Sequence, residues 1–147
     1  MRTKVISLQK NYSRDKKSKE VNGYVISLWK DWEKILPHEP KQVYVNVCYP
    51  GQLKGPHLHK QRCGQFACIK GKGKFTIKYG ENDYEYIEIN ADTNPSIVVI
   101  PPGIPSSIKN TGDDLLVMLN MPNPAWHPQN LDDWPVDFEV SDGDEKR

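Results

Sequence analysis

The sequence predicts an all-β domain, folded as a sandwich or jelly-roll barrel. Three observations carry this. Short runs of alternating apolar and polar residues recur with a turn signal every ~8–12 residues, the spacing of antiparallel β structure. No strand–helix–strand alternation occurs, which removes the parallel α/β folds. The length of 147 residues suits one domain that buries its own core without staples.

Taken in order, residues 5–8 (Val-Ile-Ser-Leu) read as a short strand. Residues 11–20 are polar and lysine-rich and read as a loop or arm. The β-branched and aromatic run 23–29 reads as a strand. Residues 30–36 predict one or two helical turns, stopped by Pro37 and Pro40. In 42–49, Val43, Val45, Val47 and Tyr49 alternate with Tyr44, Asn46 and Cys48, a strand with two distinct faces. Pro50 and Gly51 turn the chain, 57–60 is extended, and 65–69 is a strand closed by Gly71 and Gly73. Phe75, Ile77 and Tyr79 alternate along 74–79. Gly80, Glu81, Asn82 and Asp83 then form a hairpin turn before a return strand at 84–89. The apolar runs 97–100 and 115–119 read as buried strands.

From Pro122 onward, prolines and tryptophans (Trp126, Trp134) predict an extended segment laid over the body, followed by an acidic tail at 142–145. The expected organisation is an arm at 1–22, a β domain at 23–131 and a C-terminal segment at 132–147.

The net charge of +1 argues against a general nucleic-acid binder or a membrane-surface protein. Three cysteines, Cys48, Cys63 and Cys68, do not make a disulfide framework. With no apolar run near the ~20 residues of a membrane span and no export signal at the start, the expected location is the cytoplasm.

Two of the four histidines, His57 and His59, lie two residues apart in an extended stretch between Lys54 and Lys60. Residues two apart in a strand share a face, so two imidazoles sit side by side. That arrangement suits a metal site, an acid–base site or an anion site.

Gly51 followed by His57-x-His59, and Pro101-Pro102-Gly103 with Asn110 seven residues on, resemble the two cupin motifs. Gln42-Val43-Tyr44, Tyr49-Pro50-Gly51, Lys54-Gly55-x-His57-x-His59-Lys60 and 119–124 are similar to the nucleotide-sugar cupins. These are the dTDP-4-keto-6-deoxyhexose 3,5-epimerases and the related 3,4-ketoisomerases. The resemblance covers residues 42 to 130. It implies a single-domain cupin jelly-roll barrel, a homodimer, and a dTDP-linked or similar nucleotide-sugar substrate.

The sequence departs from metal cupins. No glutamate follows His59 closely, and Ser106 stands where a second-motif histidine would be. The resemblance therefore implies chemistry without a metal or other cofactor. A histidine removes a proton from a carbon beside the C4 ketone, which spreads the resulting charge as an enolate. Neutral histidine suits this near pH 7.

Residue by residue, the resemblance implies that His57 or His59 is the base. The stretch where the epimerases carry an acid tyrosine has none here, which leaves Tyr44, beside the motif, and His127 as candidate second proton donors. Lys54 reaches phosphate. Gln65 falls near the position that supports the enolate. Beside the resemblance, Lys60, Asn46, Ser106 and Asn120 are candidate substrate contacts by their place next to the histidines or in the barrel interior. Cys48 and Cys68 also line the interior. Two alternatives stand beside this reading: a non-catalytic sugar-binding cupin, and a metal-dependent cupin using His57, His59 and Cys63.

Overall fold

The structure is a computed structural model and describes residues 1–140; the acidic stretch at 142–145 lies outside the described residues. Among these the chain is all-β, with two five-stranded sheets packed face to face and a separate hairpin.

One sheet has the order β1-β9-β6-β11-β4. Its strands are β1 (Lys4–Ser7), β4 (Tyr44–Cys48), β6 (Gly64–Lys70), β9 (Ser96–Ile100) and β11 (Leu116–Asn120). The other runs β12-β5-β10-β7-β8. It contains β5 (Leu53–Leu58), β7 (Lys72–Lys78), β8 (Tyr84–Asn90), β10 (Ser106–Asn110) and β12 (Trp134–Pro135). The pairings within both sheets are antiparallel. The sheets do not close into one hydrogen-bonded barrel, so the jelly roll is an open one.

The main core fills one part of the space between the sheets. Phe75, Ile77, Ile87 and Ile89 from one sheet meet Val98, Ile100, Leu116 and Met118 from the other. These are the alternating positions of β7, β8, β9 and β11, each turning one face inward. A second cluster forms on the far side of the first sheet, where Ala67, Ile97, Val99 and Met121 are covered by Leu8, Leu28 and Leu36. Strand β9 is therefore buried on both faces, which explains the apolar run from Ile97 to Ile100.

Three local expectations change. Residues 11–14 are not a loop but β2 (Asn11–Arg14), paired with β3 (Val21–Val25). The turn between them is built by Asp15, whose Oδ1 accepts the N–H groups of Lys17 and Ser18 at 2.8 Å each. β3 stops at Val25, because the chain then crosses the sheet so that Leu28 can pack in the second cluster. Residues 30–36 form no helix: a segment this short does not offset helix nucleation, and it is held instead by burial of Leu36. A strand with no counterpart in the sequence reading also appears: the polar run at 106–110 is β10, between β5 and β7.

Strand β4 lies at a sheet edge, and its pattern is inverted. Tyr44, Asn46 and Cys48 point between the sheets, while Val43, Val45 and Val47 are exposed.

Candidate active site

Away from the main core, the space between the sheets stays open as a cavity of about 320 Å³. Its wall is made by Tyr44 and Asn46 of β4, Lys54, Gly55 and His57 of β5, His59, Arg62, Phe66, Phe75, Ser106 and Asp133. A larger groove of about 710 Å³ runs over β7, β8 and β10, past Lys72, Lys74 and Lys109. It has no imidazole or thiol among its walls, so proton chemistry near neutrality belongs to the smaller cavity.

Strand β5 presents the first imidazole. Gly55 has φ +88°, and a Cβ there would lie 2.9 Å from the Ser106 carbonyl oxygen and 3.3 Å from His57 Nδ1. Only glycine lets β5 approach β10 this closely with its backbone in the left-handed region. The rings of His57 and His59 stand 4.8 Å apart, centre to centre, tilted by 50°.

His59 is held from three sides. Its Nδ1 bonds the main-chain carbonyl of Asp132. A carbonyl only accepts, so Nδ1 carries the proton and Nε2 is left as the basic atom. The Asp132 carboxylate accepts the N–H groups of Lys60, Gln61 and Arg62 at 2.8, 2.9 and 2.8 Å. One residue of the C-terminal segment thus ties the turn after His59 and orients the ring itself. Pairing of β12 with β5 brings that residue into place. On the third side, Arg62 Nη2 lies 2.9 Å from Nδ1 and 3.2 Å from Nε2. One atom cannot point along two diverging lone pairs, so the guanidinium lies against the ring.

These surroundings keep both imidazoles neutral. Burial pushes the His57 pKa below its usual value, and the neighbouring His59 pushes in the same direction. Burial also lowers that of His59; the bond to Asp132 opposes this, and the Arg62 charge adds to the lowering. Both groups are held ready to accept a proton near pH 7.

Tyr44 completes the wall. Its hydroxyl accepts a 2.7 Å bond from Asn120 Nδ2, so its own proton is free for another acceptor. Asn120 is held in turn, its Oδ1 accepting the Gln65 N–H at 2.9 Å.

A model of the polysaccharide biosynthesis C-terminal domain matches residues 32–134. That span takes in every residue of the cavity wall, through Asp133. The chain belongs to the polysaccharide biosynthesis C-terminal domain family. No curated protein sequence matches it.

Among solved structures, this family member is similar to the capsular polysaccharide assembling protein CapF from Staphylococcus aureus. The two share 27% identity over 68% of the chain, with a TM-score of 0.63. The chain spans only 27% of that CapF chain's length. A dTDP sugar isomerase from Desulfovibrio desulfuricans G20 superposes at TM-score 0.77 with 13% identity, covering 92% of this chain and 83% of its own. QdtA, a sugar 3,4-ketoisomerase from Thermoanaerobacterium thermosaccharolyticum in complex with TDP, superposes at 0.69 with 18% identity, covering 90% and 86%. A histidine-to-asparagine variant of QdtA is described in complex with TDP-4-keto-6-deoxyglucose. At these identities the two isomerases show the shared cupin fold.

Within this family member, the cavity brings together His57, His59, Tyr44, Lys54, Asn46 and Ser106 of the residues singled out from sequence. It does not bring in four others. Gln65 follows Gly64 and precedes Phe66 on β6, and it is Phe66 that faces the cavity. Gln65 points to the opposite side, where Nε2 donates to the His38 and Met121 carbonyls at 3.0 and 2.7 Å. Asn120 acts behind Tyr44 rather than on the wall. Lys60 turns outward, its Nζ 3.8 Å over the Trp134 ring.

His127 sits in an exposed turn, where its Nδ1 accepts the Gln129 N–H. Cys63, the third ligand of the metal alternative, packs in the second cluster. Burial pushes its thiol up to about 11, and it is not among the walls of the cavity that holds His57 and His59. Among the described residues no group of three or more His, Cys, Asp or Glu is placed to hold a metal.

Three residues of the site were missed from sequence: Arg62, Asp132 and Asp133. Asp132 lies 73 positions from His59, and no local pattern marks that pairing.

Proposed function

We propose that this chain isomerises a nucleotide-linked 4-keto-6-deoxy sugar, probe substrate dTDP-4-keto-6-deoxyglucose, in the synthesis of deoxysugars for polysaccharide. The observation that carries this reading is the pair of neutral, half-buried imidazoles in a cavity large enough for a hexose. His59 acts as the base through Nε2, because Nδ1 is committed to Asp132. The same ring pair suits either 3,5-epimerisation or 3,4-ketoisomerisation. The His-x-His-Lys order and the loss of Gln65 from the cavity favour ketoisomerisation.

In that reaction the C3–H bond breaks and its proton goes to His59. The electron pair forms C3=C4 and pushes the C4 carbonyl pair onto oxygen. A proton then passes from the C3 oxygen to the C4 oxygen, with Tyr44 beside them as donor and acceptor. Return of a proton to C4 leaves the ketone at C3. Lys54 meets the diphosphate as a point charge.

Incubation with dTDP-4-keto-6-deoxyglucose in deuterated water is expected to yield the 3-keto isomer with deuterium at C4, where the proton is returned. A product changed only in configuration at C3 and C5 would assign the epimerase instead. Absence of both product and deuterium would favour a sugar-binding module.

A second copy of this chain is the partner that suits the exposed valine row of β4. Sedimentation equilibrium is expected to give twice the chain mass, and Val45→Lys to shift it to one. A wild-type monomer at micromolar concentration would remove the dimer.

A further inference from the structure

Any such isomerisation places negative charge on the C4 oxygen, and the cavity must meet it. The residue expected to do so, Gln65, faces the other side of β6. Arg62 stands in the cavity instead. It is 7% exposed, and its Nε is buried without a hydrogen-bond partner. No carboxylate among the described residues forms an ion pair with its guanidinium. The nearby Asp132 carboxylate is occupied by three main-chain N–H groups. Asp133, the other carboxylate of the cavity wall, is not within ion-pair distance of it either, and a buried cation with no carboxylate in direct contact is costly to keep. It fits a site whose partner is an anion that appears there. Asn46 Oδ1, also buried without a partner, lines the same cavity.

We propose that Arg62 is a catalytic residue that stabilises the enolate oxygen formed when His59 takes the proton. This rests on the isomerase reading of the cavity. The position decides between enolate and phosphate. The guanidinium lies against the ring of the base itself, within 3.2 Å of both of its nitrogens, so the anion it meets is at the reacting carbons. As C3–H breaks, the proton goes to His59 Nε2 and the electron pair moves through C3=C4 onto the C4 oxygen. Arg62 then lies beside both imidazolium and enolate. It lowers the basicity of His59, and this cost is offset because the guanidinium is fixed and desolvated where the oxyanion forms. On return of the proton the charge vanishes, and Arg62 is again unpaired.

The test uses Arg62→Met and Arg62→Gln in the full chain. Solvent deuterium uptake into dTDP-4-keto-6-deoxyglucose is expected to fall about 10²–10³-fold, the usual loss for one oxyanion donor. Affinity for dTDP, which has no ketone, is expected to stay within about twofold. Arg62→Met is expected to melt no lower than wild type, because an unpaired buried cation is gone. The acid limb of the residual Arg62→Gln activity is expected to move to higher pH as His59 recovers basicity. Uptake within tenfold of wild type overturns the assignment. So does a parallel loss of dTDP binding, which would make Arg62 a phosphate anchor. Arg62→Lys is the reserve if neither variant folds: a lower kcat at unchanged KM is expected, and a raised KM at unchanged kcat overturns it. If the wild-type protein takes up no deuterium, the isomerase reading and this one fall together. If wild type does and Arg62→Met does equally, only this one falls.

Discussion

Replacing His59 by Asn is expected to lower turnover of the keto sugar by about 10³-fold or more, within the range that a positioned general base contributes. Asparagine keeps the approximate shape and a donor for the Asp132 carbonyl, but has no atom that takes a proton near neutral pH. Affinity for dTDP should be retained, because the base acts on the sugar. His57→Asn should cost less, about 10-fold, since its ring stands beside the base and lacks the bond that fixes a tautomer. Because burial lowers the pKa of both rings, the neutral base persists below the usual histidine value of about 6.5. The rate of the wild type should therefore hold as pH falls to that value and decline only at lower pH. Measured kcat/KM against pH checks this. An His59→Asn protein with more than a tenth of wild-type activity would move the base to His57.

Replacing Asp132 by Ala is expected to destabilise the protein by about 2–3 kcal/mol, read as a fall in melting temperature of roughly 5–10 °C for a chain of this size. Three N–H groups of the 60–62 turn lose a charged acceptor at once. The pH dependence has a definite sign. Burial alone would raise the Asp132 pKa, but the three main-chain donors outweigh it and hold the carboxyl below its ordinary value. A lowered folded pKa contributes stability that is fully present above the unfolded value, about 3.9. That stability is lost as pH falls through the lower folded value. The wild-type and Asp132→Ala melting curves should therefore converge in acid and separate above pH 4. Equal separation at pH 2 and pH 7 would refute the role of the charge. Keto-sugar turnover should also drop, because the turn that carries Arg62 loses its tie while the Asp132 carbonyl remains.

Much of the fold was legible because local pattern and burial agree. β7 and β8 alternate with the expected period, their turn residues are explicit, and β9 is apolar from Ile97 to Ile100 because both of its faces are covered. Elsewhere tertiary context overrode pattern. Ser106–Asn110 has little strand character, yet becomes a central strand because β5 and β7 supply partners on both sides. On β4 the two faces could be separated from sequence, but valines outside and Tyr44 and Asn46 inside invert the usual rule.

The site divides in the same way. His57, His59, Lys54 and Gly55 lie within six residues of one another, so a strand of period two was enough to place them together. Gln65 failed by one position, because a single step along β6 exchanges the cavity for the far side of the sheet.

By itself, the sequence determined the all-β class and the paired imidazoles, since both rest on short-range periodicity and spacing, and its motifs carried the resemblance to the cupins. Only the tertiary structure decided which atom of His59 is basic, that Arg62 and not Gln65 meets the cavity, and that Asp132 closes the site. Those assignments depend on β12 pairing with β5 and on the facing of two sheets, contacts between residues distant in the chain that no local rule encodes.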